Sequence, residues 1–157
     1  MAESKRHLIL QQLVDRFKDI EKAVGTDPMI FDYSTVELGP LLDGDARKRT
    51  AIGIVPGTEV NDVRFFPIME CKLPVTIEWR ITVQAKEKPG VMAEVMLAEV
   101  QRVIAMDRTM NGFAIDVKET GNEIDVLSYA DKTVNGIVQL LIIYRHDLDE
   151  VRTLMGS

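Results

Sequence analysis

One cysteine and two histidines are spread over 157 residues. Cys71 is alone and can close no intrachain disulfide, and with His7 and His146 far apart the clustered Cys/His spacings of zinc sites are missing. Cys71 therefore reads as a small, semi-buried residue near a strand end. Long hydrophobic runs are lacking too. No window approaches the ~18 consecutive apolar residues of a membrane span, and Met1-Ala2-Glu3-Ser4-Lys5-Arg6 leads into an amphipathic segment, not a secretory signal. The expectation is a protein made and kept in a cytosol, with no membrane partner. Nor is there an excess of positive charge. Nineteen Lys+Arg against 25 Asp+Glu give −6, which disfavours a domain that binds by neutralising phosphates along a duplex. The nearest basic cluster, Arg47-Lys48-Arg49, follows Asp43 and Asp45 and reads as a solvated loop of mixed charge.

Catalytic signatures are equally sparse. The chain has no Gly-rich phosphate loop, serine elbow or His-Glu-x-x-His, and Gly53 and Gly57 bracket Pro56 without forming a dinucleotide fingerprint. Asp147, Asp149 and Glu150 stand close together, but such a segment is a solvated face unless burial splits its pKa values. His146 ends the most apolar strand, where a histidine ordinarily meets solvent. No catalytic, cofactor-binding or metal-binding residue is assigned, and no cofactor is expected.

What is present is an ordinary globular pattern. Apolar residues make up 46% and charged residues 28%, and a chain of this length fits one domain that buries roughly 68–70% of its unfolded surface, needing no metal or disulfide to fold. From Ser4 to Val24, Ile9, Leu10, Leu13, Phe17, Ile20 and Val24 recur at three- and four-residue steps. Gln12, Asp15, Lys18, Asp19 and Lys22 fall opposite, which predicts an amphipathic helix with Ser4 as N-cap and Gly25 as its stop. Residues 27–49 form an extended excursion with a short strand at Ile30–Val36. Loops of this length are either contact surfaces or plain surface loops.

Thr50–Val55 is β-prone and stops at Pro56-Gly57. Val63–Met69 is a second such run, which Pro67 restricts to an edge, bulge or strand end. From Val75 to Ala85 apolar Val75, Ile77, Trp79, Ile81, Val83 and Ala85 alternate with Thr76, Glu78, Arg80, Thr82 and Gln84. That strand buries one face and turns the other to water, a lumen or a neighbouring subunit. After Lys88-Pro89-Gly90, a second helix carries Met92, Met96, Leu97, Val100, Val103 and Ile104 on one arc, with the methionines as core filler. Asn111-Gly112 permits a sharp exit. Phe113, Ile115 and Val117 then alternate, Gly121-Asn122 marks a turn or bulge, and Glu123–Tyr129 resumes the strand. Asp131-Lys132 reverses the chain into Gly136–Arg145, apolar on both faces and so expected inside the sheet. The sum is an α+β domain over residues 1–157, its mainly antiparallel sheet carrying both amphipathic helices on one face.

An N-terminal amphipathic helix, a long excursion, an alternating strand at Ile77–Ala85 and a helix ending near Asp107 precede Asp107-Arg108-Thr109-Met110-Asn111-Gly112-Phe113-Ala114. After these come Thr120-Gly121-Asn122-Glu123 and Ile143-Tyr144-Arg145-His146-Asp147. In this order of elements, and in residues between about Met92 and Asp147, the chain resembles the tail terminator (tail completion) proteins of long-tailed bacteriophages.

The resemblance implies a tail-terminator-like fold and a structural, non-enzymatic virion protein of the tail neck, assembled in the host cytoplasm. Members form a six-membered ring on the completed tail tube, stop its polymerisation and face the head's connector. Implied partners are further copies of the chain, the tail tube protein and the head-completion or connector protein, with DNA passing through the lumen without specific binding. Six copies at −6 each carry a formal −36, and charge lining a lumen would let DNA slide. Contact residues are expected at Leu41, Leu42, Arg47 and Arg49 in the excursion, and at Glu78, Arg80 and Gln84 on the polar strand face. The tail of residues 148–157 is a further contact candidate. Another neck component, such as a head-closure or tail-tube protein, is the nearest alternative. A small-molecule-binding enzyme would instead need a deep apolar pocket with convergent polar groups.

Overall fold

A computed structural model describes residues 4–18, 35–41, 50–65, 68–125 and 133–147. Their element order is α1 Lys5–Lys18, β1 Thr35–Leu38, β2 Thr50–Pro56, β3 Val60–Phe65, β4 Ile68–Thr82, α2 Pro89–Ala105, β5 Asp116–Asp125 and β6 Thr133–Asp147. The strands make one sheet in the order β1-β2-β4-β6-β5, with β3 also on β4. Only β1 and β2 run parallel among the described pairs, and the fold is α+β as the patterning predicts.

β4 is the spine of this sheet. On one side it pairs with β6 from Ile68↔Asp147 to Thr82↔Thr133. On the other it meets β3 over its first residues and β2 from Val75 to Ile81. A proline inside such a strand ordinarily costs a ladder hydrogen bond. Pro74 sits where the chain steps from β2 to β3, and its carbonyl accepts the Gly57 N–H at 2.7 Å. In an antiparallel strand a residue's nitrogen and carbonyl point to the same side, so the proton Pro74 lacks is missing at the gap between two partners.

That arrangement corrects the reading of Val63–Met69 as a single strand. Val63 pairs with Met69 and Phe65 with Ile68, so the run folds back on itself as a hairpin, and β4 begins before Pro74 instead of at Val75. The excursion is likewise interrupted. Thr35–Leu38 is a strand beside β2, overlapping the expected one by two residues, while residues 30–34 lie outside the described ones.

Alternation along β4 is what builds the core. Cys71, Leu73, Val75, Ile77, Trp79 and Ile81 are buried, and the register sets them beside Ile52 and Ile54 of β2 and Val134, Val138, Leu140, Ile142 and Tyr144 of β6. The alternation stops at Val83, because Ala85 lies in a turn and is exposed. α1 adds Ile9, Leu10, Leu13, Val14 and Phe17, and α2 adds the whole expected arc from Met92 to Ile104. Both helices join one cluster and so cover one sheet face. Each large side chain so buried contributes ~1.5–3 kcal/mol relative to exposure. Ser4 caps α1, its Oγ accepting the His7 N–H at 3.1 Å. The expected continuation of α1 to Val24 with its stop at Gly25, the strand end at Tyr129 and the reversal at Asp131-Lys132 lie outside the described residues.

Two further readings change. Phe113 and Ile115 belong to the turn, and β5 starts only at Asp116, with its register shift between Glu119 and Gly121. β6 pairs on both sides, as its apolar run predicts. His146 at its end is half-buried instead of solvated, with Nε2 3.1 Å from Cys71 Sγ.

Candidate functional site

Residues between the core positions of each strand form the opposite sheet face. Register places Glu78, Ile137 and Glu123 in one cross-strand row and Arg80, Asn135 and Asp125 in the next. Paired residues project to the same side. Beyond β4, residues 39–41 pass over β2 so closely that a Cβ on Gly53 would stand 2.7 Å from the Gly39 carbonyl oxygen and 3.0 Å from Leu41 Cγ. Glu78 ties this crossing down, one carboxylate oxygen accepting the Leu41 N–H at 2.9 Å. Between Leu41 on one side and Glu123 and Asp125 on the other lies a concavity of about 730 Å³. Arg80 lines it too, its Nε donating to Asn135 Oδ1 at 3.3 Å.

Of the expected contact residues, Leu41, Glu78 and Arg80 therefore come together at one concave surface. Gln84 does not, since it lies in the turn after β4, where its N–H donates to Glu87. Leu42, Arg47 and Arg49 lie outside the described residues. Sequence reading missed Glu123, Asp125, Asn135 and Ile137. The usable signal was the odd-numbered aliphatics Ile137, Leu141 and Ile143 of β6, which face away from the core and are only half exposed.

The arrangement of Cys71 and His146 has nucleophile and base within hydrogen-bond reach, but the thiol is not activated. Cys71 is fully buried, and burial, seconded by the negative charge of Glu59, pushes its pKa up to about 11. Burial and the hydrogen bond to Glu59 likewise raise the Tyr144 hydroxyl, which donates to that carboxylate. Arg6 of α1 stands 3.9 Å from Glu59, and Lys5 Nζ donates to the Arg145 carbonyl at 2.6 Å. These contacts close the end of the core with polar groups instead of opening it to a substrate. Among the described residues no three His, Cys, Asp or Glu side chains converge as metal ligands, and no helix is long and apolar enough to cross a membrane.

The turn after α2 is a hydrogen-bonded joint centred on Asp107. Asp107 Oδ1 accepts from the Thr109 N–H and hydroxyl, and Oδ2 accepts the Asn111 N–H at 2.7 Å and Arg16 of α1 at 2.8 Å. The Asn111 N–H foremost holds the Asp107 carboxyl below its ordinary pKa, with Thr109 and Arg16 adding to it. The backbone then passes through positive φ at Met110, Asn111 and Gly112 (51°, 60° and 86°). For methionine that conformation is uncommon, and here it puts the Met110 side chain into the core. Ile115 rejoins the sheet by donating to Ile143 at 2.7 Å. Neither a scan of protein-family models nor a search of curated proteins finds a match to this chain.

Proposed function

We propose that the protein is a structural virion component of a tailed bacteriophage. In this reading it is a tail-terminator subunit that closes with its copies into a ring, six by the family pattern, on the finished tail tube. The ring ends tube polymerisation, meets the head's connector and lets DNA pass, without performing a reaction. The observation that carries the reading is the resemblance concentrated between about Met92 and Asp147, which includes residues 107–114, 120–123 and 143–147. Its physical support is that the stretch after α2 is tied to α1 and to β6: Asp107 bonds Arg16, and Ile115 bonds Ile143. A subunit that must hold its shape between discs above and below needs such a joint, and a sheet face not used for its own core.

The reading is tested by elongation of purified tail-tube subunits followed by light scattering. Added protein should halt growth at amounts far below the tube subunit and leave short capped tubes. Elongation that continues unchanged, with no protein at the tube ends, overturns it.

A further inference from the structure

We infer that the concavity on the open sheet face is the receiving half of a contact between copies of this chain, and that the Arg47-Lys48-Arg49 run of a second copy enters it. The inference deepens the ring reading, and rests on it in requiring that copies associate.

The concavity carries three carboxylates, Glu78, Glu123 and Asp125, against one guanidinium, Arg80, whose Nε is engaged by Asn135. Glu123 and Asp125 are exposed, and Ile137 lies between Glu78 and Glu123 on the floor. An apolar floor below acidic walls suits a long basic side chain, which lays its methylenes on hydrocarbon and its charge against carboxylate. The face is also less polar than an antiparallel sheet turned to water should be, since Ile137, Leu141 and Ile143 occupy outward positions of β6.

The occupant is chosen by charge. Two copies of a −6 chain repel one another overall, so a contact between them needs local pairing of opposite signs. The densest positive run of the sequence is Arg47-Lys48-Arg49. A head-to-tail contact joins two different patches of one chain and closes into a ring when the rotation permits. An acidic concavity and a basic run are such a pair.

The experiment is sedimentation velocity on the full chain in low salt, with circular dichroism confirming that each variant is folded. Wild type should associate as concentration rises. Both E123K/D125K and R47E/R49E should weaken association by about tenfold or more. Mixing the two variants should restore it, because the lysine-bearing concavity of one accepts the glutamates of the other while the remaining pairing is native. Pairing within a single chain predicts no such rescue. Monomeric wild type at every concentration, variants that associate like wild type, or folded variants that fail to associate when mixed would each overturn the inference. A wild type that stays monomeric in solution yet caps tail tubes removes this contact and leaves the tail reading standing. Mixed-variant rescue without capping keeps the contact and removes the tail reading.

Discussion

The indole of Trp79 occupies the place where a side chain at residue 136 would stand: a Cβ on Gly136 falls 2.1 Å from Trp79 Cζ2. The two face each other across β4 and β6, and only glycine lets the largest core side chain lie against the neighbouring strand. Gly136→Ala should therefore destabilise by about 1–3 kcal/mol or more, as over-packing does. In a Trp79→Leu background the further cost should fall. It should not vanish, because the Glu123 carbonyl oxygen stands 2.7 Å from the same Cβ. Urea denaturation of the four members of this cycle gives the coupling, and equal costs in both backgrounds would show that the indole is not the obstacle.

Asp107 gives the joint between the helices and the sheet a pH signature. Asp107→Ala should cost about 1–2 kcal/mol at neutral pH, the range for losing a capping carboxylate with its hydrogen bonds. The carboxyl is held below its ordinary 3.8, so its contribution is complete above that pH and is lost as pH falls through the lower folded value. Denaturation midpoints of wild type and variant should thus converge in acid. A gap that stays constant down to full protonation would contradict the assignment.

Cys71 should be silent in the native protein. With the thiol buried and its pKa raised, iodoacetamide at pH 8 should leave the folded chain unmodified and add one label after unfolding, as read by mass. The sign with pH is opposite to that of Asp107. Below the ordinary 9.0 the thiol is protonated in both states. Between 9.0 and about 11 the unfolded chain releases the proton first, so stability falls as pH rises. Rapid native labelling would contradict this description of the pair with His146.

α1 up to Lys18, α2 and β4 from Val75 onward are legible in the sequence because their periodicity is local: each apolar residue reports its own face at a fixed step. The β3–β4 hairpin is hidden because Val63–Met69 contains both sides of a reversal, Val63 pairing with Met69 and Phe65 with Ile68. Pro74 could be placed in β4 only once it was known that two strands share one side of β4. Glu78 and Arg80 were readable as one polar face. Glu123 and Asp125 join them only through the β5–β6 register, and that register shifts between Glu119 and Gly121. Cys71 and His146 lie 75 residues apart, and nothing in either neighbourhood announces the contact.

Electron microscopy of the purified chain mixed with tail tubes is the most direct test of the proposal that the protein works by offering surfaces to its own copies and to the discs stacked on them. The expected image is a closed ring of subunits seated on one end of each tube, six in end-on projection. Bare tube ends beside a protein that remains monomeric would contradict it.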